Sequence, residues 1–315
     1  MNTLEQQTAV EQTADGKYRG EILEDWKMWV PVGGYLTSIA LRAAQASSTM
    51  VRPVSVSCHY LNEATFGPCD LDVTILRSTD RAESLLVRMN QDDKEILVAL
   101  VSAAPAGLLG PVISWKEAPD APAPDDLEQT ILDDDVVQIM GEQPYWKNLE
   151  FRMITGLKGS HNYPEIDALS DEEYTKLRFT PRRDAHIRGW QRMPCGEGFT
   201  DPWVDAGRYV IITAGMQFPV VADPFTPPLK FIAPTVNLTV DFHTFHPEAQ
   251  WLLADATGTY AGDGILGADT RLWTQQGDLL VTAHSQMTYH DFSEPKVTEG
   301  MQNTWFDLRE AAAEA

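Results

Sequence analysis

One stretch gathers more side chains able to do chemistry than any segment near it: Pro234-Thr235-Val236-Asn237-Leu238-Thr239-Val240-Asp241-Phe242-His243. It alternates strictly. Val236, Leu238, Val240 and Phe242 point one way, and Thr235, Asn237, Thr239, Asp241 and His243 point the other. Period two is the signature of a strand with one buried face. The β-branched and aromatic apolar residues suit a pleated, half-buried surface. The hydroxyls, amide, carboxylate and imidazole of the other face could orient water or hold a polar substrate. A solvated sheet surface would carry the same residues.

Other candidates are weaker or of a different kind. His243, His246 and Asp241 have a spacing that fits no common zinc motif, so no metal is expected. Cys58, Cys69 and Cys195 are too few and too irregular for a disulfide framework or a cysteine-rich metal site. Cys195 has no evident histidine partner. The run from Lys176 to Arg192 carries Arg182, Arg183, Arg188 and Arg192 and could bind phosphates. It could equally neutralise the segment Glu117–Asp135, which holds eight acidic residues and no basic one. Gly33-Gly34-Tyr35 opens an apolar pattern of Leu36, Ile39, Ala40 and Ala43 that predicts a helix to about Ser48. The N–H groups at such a helix start could polarise a carbonyl oxygen.

The elements that must position these groups repeat. In the first unit, Tyr18–Leu23 reads as a short strand before the helix. Strands are expected at Pro53–Leu61, Asp70–Arg77, Ser84–Gln91 and Ile96–Ala103, with a turn at Asp92-Asp93-Lys94. In the second unit a strand is expected at Tyr145–Ile154 and a helical pattern over Asp205–Val221. The opening strand follows, then strands at Trp251–Tyr260, Gly267–Thr274 and Leu279–Tyr289. The boundaries are 16–105 for the N-terminal unit, 106–144 for an acidic proline-rich linker, 145–292 for the C-terminal unit with its basic insertion, and 293–315 for a tail. Residues 1–15 read as a frayed end. Short helices are expected near Leu127–Met140 and Trp305–Ala313.

Laid over each other, Pro53-Val54-Ser55-Val56 falls against Pro234-Thr235-Val236-Asn237, and Leu71 against Leu252. Ile96–Ala99 falls against Leu279–Thr282 after a two-residue adjustment. Thr235 then lies on Val54 and Gln286 on Ala103. A duplicated scaffold that is polar at corresponding points of one copy suggests a single asymmetric site.

Composition narrows the classes. The 315 residues are 43% hydrophobic, enough for a substantial core. The formal charge of −22 argues against a nucleic-acid surface. No apolar run approaches the roughly 18–20 residues of a membrane span, and the polar N-terminus has no signal-peptide pattern. The expectation is a soluble cytoplasmic protein.

The sequence resembles the tandem hotdog acyl-CoA thioesterases, the type II group. The resemblance rests on Gly33-Gly34-Tyr35, Tyr60-Leu61, Trp190-x-Arg192, Thr235 with Phe242-His243, Trp251-Leu252-Leu253, and Gly277-Asp278-Leu279-Leu280 leading to Gln286. It implies an α+β double hotdog: two long helices, each packed on an antiparallel sheet, with the sheets joined across a pseudo-twofold interface. It implies acyl-CoA as a small-molecule substrate, no cofactor beyond the coenzyme A of that substrate, and leaves self-association open. In that family an Asp, a Thr and a Gln hold the attacking water. Thr235 and Gln286 match the last two. The Asp would fall near Ala214, and no acid occurs between Asp205 and Asp223. Asp205 could replace it only in a shifted helix register. Gly33, Gly34 and Tyr35 become candidates for oxyanion or substrate binding, and the four arginines for the coenzyme A phosphates. The lost acid leaves a second reading, an acyl-CoA-binding protein without turnover. A double-hotdog dehydratase is a third, but no His-x-x-x-Gly occurs in the chain.

Overall fold

A computed structural model describes residues 3–28, 30–130, 143–156, 170–177, 179–194, 199–225 and 231–291. The N-terminal unit contains α1 (Leu4–Gln7), β1 (Val10–Ala14), β2 (Lys17–Ile22), α2 (Gly33–Ser47), β3 (Arg52–Tyr60), β4 (Gly67–Ser78), β5 (Glu83–Gln91) and β6 (Lys94–Ala104). The C-terminal unit contains β7 (Glu150–Thr155), α3 (Asp171–Leu177), β8 (His186–Arg192), α4 (Pro202–Ala222), β9 (Phe231–Ile232), β10 (Thr235–Phe242), β11 (Leu252–Gly262), β12 (Ile265–Trp273), β13 (Leu279–Thr288) and β14 (His290–Asp291).

Twelve strands form one antiparallel sheet in the order β1-β2-β4-β5-β6-β3-β10-β13-β12-β11-β8-β7. Read outward from its centre, the order repeats: β3, β6, β5, β4, β2, β1 on one side and β10, β13, β12, β11, β8, β7 on the other. That is the pseudo-twofold double hotdog. The centre is the β3–β10 pair, in register from Ser55 opposite Asp241 to His59 opposite Asn237.

The two long helices pack against each other in antiparallel fashion. A Cβ on Gly34 would lie 2.9 Å from both the Ile211 Cα and the Ala214 Cβ. One turn on, Ser38 Oγ donates to Gly207 O at 3.1 Å. At the far end Asp201 caps α4 by accepting from Trp203 N, and Gln45 Nε2 of α2 donates to its other oxygen at 2.7 Å. Small residues at the crossing let the backbones approach, which is what the sheet's concavity requires.

Several expectations need correction. Within the expected frayed end 1–15, the described residues 3–15 are ordered: Thr3 and Gln6 form a capping box on α1, Leu4 is buried, and β1 pairs with β2. The linker is not merely solvated. Ala118, Ala121 and Leu127 pack on an outer-face cluster of Trp190, Trp251, Leu253 and Trp273. Pro144–Asn148 is a 3₁₀ turn, so β7 begins only at Glu150. Most of Leu127–Met140 and all of Trp305–Ala313 lie outside the described residues, and the described 127–130 are not helical.

The repeat also registers differently. Val56 and Cys58 of β3 are buried, as are Leu238 and Val240 of β10. Pairing shifts between Pro53 and Ser55 against β6, and between Thr235 and Asn237 against β13. Matching shift to shift and buried to buried lays Pro53 on Thr235 and Ser102 on Gln286. Each is one residue from the overlay read in sequence. A one-residue slip moves a side chain to the other face, and weakly similar strands do not resolve it.

Gly34→Ala will destabilise the fold by about 1–3 kcal/mol, because the added methyl meets backbone; denaturant unfolding reads the loss. Glu83 is buried and accepts from Ser48 Oγ, Thr49 N, Thr49 Oγ1 and Ser78 Oγ. Burial pushes its carboxyl up, but these hydrogen bonds outweigh it and hold the group below its ordinary 4.5. Its stabilisation is therefore present above that value and lost as pH falls through the depressed one. Glu83→Gln will cost about 1–3 kcal/mol at neutral pH. The gap from the parent will close on acidification, in unfolding curves taken across pH.

Candidate active site

α2 starts at Gly33 because Val32 is extended (φ −69°, ψ 134°) and offers no side-chain cap. The first N–H groups of the helix thus lack intrahelical acceptors. A Cβ on Gly33 would lie 2.9 Å from the Tyr60 ring, so glycine is needed for this approach too. Tyr60 ends β3, and its hydroxyl shares a 2.8 Å hydrogen bond with Thr37 Oγ1, one turn into α2. Burial pushes the Tyr60 phenol well above its ordinary value and the neighbouring Cys58 thiol up to about 12. Both stay neutral near pH 7, and Cys58 is no nucleophile.

Ala214 of α4 faces this helix start. One turn further along α4, Gln217 is buried and forms three hydrogen bonds. Its Nε2 donates to Thr213 O (3.1 Å) and Thr270 Oγ1 (3.0 Å), and its Oε1 accepts from Ser285 Oγ (2.7 Å). On the sheet, Thr235 stands opposite the buried Met287. Cross-strand partners share a face, and diagonal neighbours lie about 7–8 Å apart. Thr235 therefore shares the helix-facing side with Ser285, which is two residues from Met287. The bulge after Thr235 achieves this and leaves Val236 exposed.

Gln286 does not join Thr235. It stands opposite Asn237 and is exposed. Asn237 Nδ2 donates to its Oε1 at 3.1 Å, and its own N–H donates back to Asn237 Oδ1 at 3.2 Å. The inward position is Ser285. Sequence alone does not separate these two neighbours, because strand register is set by pairing with distant residues. Gln217 could have been found: it sits three residues from Ala214, a spacing that shares a helix face.

Tyr35 is a core residue. It stacks on Trp26 at 5.2 Å, and its hydroxyl donates to Gln7 O (2.6 Å) and Glu21 O (3.1 Å), so it has no surface for substrate. Asp205 is buried against Arg208 (2.5 Å) and accepts from Tyr209 OH (2.5 Å). It lies about 18 Å from Gln217 along α4 at the helical rise of about 1.5 Å per residue. The helix register is not shifted, so Asp205 does not reach the Ala214 position. Arg208 in turn donates to Ala249 O, which makes this ion pair a clamp on the loop after β10.

The basic run is largely neutralised by carboxylates. Arg188 pairs with Asp255 at 2.8 Å, Arg192 with Glu150 at 2.5 Å and Arg183 with Asp223 at 3.5 Å. Arg182 donates its backbone N–H to Pro224 O. A phosphate would have to displace three of these pairings, so the structure does not gather the four arginines into an anion site. Arg188 also donates to Asp120 O, which links the run to the acidic segment. His243 bonds Thr282 Oγ1 at 3.1 Å and His246 bonds Glu248 at 3.0 Å. Among the described residues, no group of three or more His, Cys, Asp or Glu is placed to hold a metal ion. Cys195 lies outside the described residues.

Two family profiles cover most of the chain: an acyl-CoA thioesterase N-terminal domain over residues 22–104 and an acyl-CoA thioesterase C-terminal domain over 126–289. The chain belongs to the acyl-CoA thioesterase family. Its fold is shared with a hot dog protein of unknown function from Alicyclobacillus acidocaldarius, at 19% identity, TM-score 0.72 and coverage of 92% and 98% of the two chains. It is shared too with a putative thioesterase II from Thermobifida fusca (19%, 0.71, 92% and 98%) and an acyl-CoA thioesterase II from Mycobacterium marinum (16%, 0.68, 92% and 99%). No functionally curated protein matches the sequence. Among the described residues of this thioesterase-family chain, no helix is long and apolar enough to cross a membrane.

The buried amide network of this acyl-CoA thioesterase homologue sets a contrast between two glutamines. Gln217→Leu leaves the Thr270 and Ser285 hydroxyls unpartnered and will cost about 1–3 kcal/mol. Gln286→Ala on the outer face will cost less than about 0.5 kcal/mol. Thermal and denaturant unfolding of the two variants side by side checks the difference.

Proposed function

We propose that the chain binds acyl-CoA thioesters where the start of α2 meets α4 and the inward face of β10 and β13, and hydrolyses them slowly. What supports this reading on a thioesterase-family scaffold is that Gly34 meets Ala214, that Gln217 one turn along α4 bonds Ser285, and that Thr235 lies diagonal to Ser285 on the same strand face. The N–H groups at Gly33 and Gly34 face the thioester oxygen and stabilise charge that develops there. The Thr235 hydroxyl orients water, supported by the Gln217–Ser285 pair. The acyl chain runs between helix and sheet, among apolar side chains.

The proton is the weak point. A hydroxyl and an amide orient water but accept no proton near neutral pH, and a general base is typically worth about 10²–10⁴ in rate. With Ala214 where the resemblance puts the acid, attack depends on hydroxide. Turnover should then rise about tenfold per pH unit through the neutral range. A cytoplasmic role in lipid metabolism accords with an acyl-CoA substrate and with the buried, unpaired Cys58 and Cys69.

A second reading, binding without turnover, is supported by the residues that Gln217 and Gly34 meet, Ser285 and Ala214, neither of which accepts a proton. A panel of acyl-CoAs of increasing chain length, with free-thiol detection and calorimetry, separates the two. Slow hydrolysis that Thr235→Val lowers about tenfold or more, and that Ala214→Asp raises, supports the enzyme. Binding in the parent with turnover only in Ala214→Asp supports the second reading. Neither binding nor turnover at any chain length would sink both.

A further inference from the structure

We infer that the Tyr145 hydroxyl donates a hydrogen bond to the carbonyl oxygen of a thioester bound at the start of α2. The inference rests on the proposed function and adds to that site a donor from outside both long helices.

A buried phenol normally finds a partner within the protein. Among the described residues four tyrosines are buried: Tyr18, Tyr35, Tyr145 and Tyr209. Tyr18 OH bonds Ser47 Oγ at 2.7 Å, Tyr35 OH donates to Gln7 O and Glu21 O, and Tyr209 OH donates to Asp205. The half-buried Tyr60 shares its hydroxyl with Thr37. Tyr145 is the exception. It is 2% exposed, and its hydroxyl forms no hydrogen bond with any of the described residues. A hydroxyl withdrawn from water and left unpaired is a cost that a bound ligand can remove.

The position of this phenol is fixed by its surroundings. Tyr145 lies in the 3₁₀ turn Pro144–Asn148, which is tied to the segment before α2. Its own N–H donates to Lys27 O at 3.1 Å, and Asn148 Nδ2 donates to Asp25 O at 2.7 Å. The ring packs edge-on to Trp26, which stacks on Tyr35, the residue after Gly34. The hydroxyl end rests on Gly215 of α4, where a Cβ would lie 2.3 Å from the oxygen. Glycine at 215 is therefore what admits the tip of the phenol. Gly34 meets Ala214 while the Tyr145 hydroxyl meets Gly215. The Cα atoms of two such neighbours are about 3.8 Å apart, so helix start and phenol reach the same turn of α4. Gly33, Ala214 and Gly215 are each half-buried, so this place is partly open and not sealed in the core.

The chemistry of the group suits a donor. Burial pushes the phenol well above its ordinary 10, so near neutral pH it keeps its proton. It does not supply the missing base. Of the atoms that a simple thioester brings to this place, the carbonyl oxygen is the strong acceptor; sulfur accepts weakly and an alkyl chain not at all. A fixed O–H donor aimed at that oxygen gains strength as attack places charge on it.

The test uses calorimetry on the full chain with two non-hydrolysable acyl-CoA analogues of equal chain length. One is a ketone with a methylene in place of the thioester sulfur; the other is an S-alkyl thioether without a carbonyl. Tyr145→Phe should weaken the ketone about tenfold or more and leave the thioether unchanged. Its unfolding midpoint should not fall, because no internal hydrogen bond is removed. Gly215→Ala, which displaces the hydroxyl, should weaken the ketone in the same way. Ketone binding that is equal in the parent and in Tyr145→Phe overturns the inference and leaves the proposed function standing. Equal losses for both analogues, or a destabilised Tyr145→Phe, assign the phenol to packing and overturn it as well. A parent that binds neither analogue overturns the proposed function, and this role with it.

Discussion

β3 and β10 pair through a short antiparallel ladder, from Ser55–Asp241 to His59–Asn237, and that ladder fuses two half-sheets into one. Everything at the candidate site descends from it. The joined sheet brings α2 and α4 side by side on one concave face, and antiparallel strands force the helices to run antiparallel too. Helices that close need small residues at the crossing, which Gly34, Ser38, Gly207 and Ala214 supply. The ladder also brings Tyr60, at the end of β3, beside the start of β10. The first turn of α2 and the inward end of the β10–β13 pair thus belong to one region although they come from different units.

Elements were legible in the sequence where the pattern was long and local. The period-two strands, the helix opened by Gly33-Gly34 and the duplication all follow from spacing alone. What escaped was parity. The bulge at Thr235 takes up one residue, so simple alternation assigns Thr235 to the outer face, and the structure sets it opposite Met287 on the inner one. The same single step separated Gln286 from Ser285. Strand spacing carries no mark of a bulge, because the signal is a pairing between residues distant in sequence. The α1 capping box was visible in Thr3 and Gln6 but is too short to stand out without the tertiary contacts that bury Leu4. The cover over the tryptophan cluster escaped for a different reason. Proline and acidic residues suggest a solvated linker, while its contacts are made by alanines, a leucine and backbone carbonyls.

Duplication with divergence explains why the two ends of the helix pair differ. At the start of α4, where symmetry would put a second site, charge fills the space. Asp205 and Arg208 form a buried pair, Tyr209 donates to Asp205, and Arg208 holds the loop carbonyl of Ala249. Asp201 ties that end to Gln45 of α2. Buried charge is tolerated there because every member has a partner of opposite sign or a carbonyl; removing one partner would leave the rest desolvated. That end is a clamp.

The start of α2 is built on the opposite principle. Its polar groups are Thr37, Tyr60, Gln217, Ser285 and Thr235, all uncharged near neutral pH, with thiol and phenol pushed toward their neutral forms by burial. Such a region can hold a neutral thioester without the desolvation cost of an ion and can offer N–H and O–H donors to an oxygen that gains charge. None of these five groups accepts a proton near neutral pH. On the proposed function, binding and polarisation would not need a carboxylate at position 214, because they would depend on donors fixed by the helix crossing. Proton removal would need one, because it would depend on a single side chain. On that reading, affinity for acyl-CoA and the rate of its hydrolysis would be set by separate parts of one site, the first by the fold and the second by what stands at position 214.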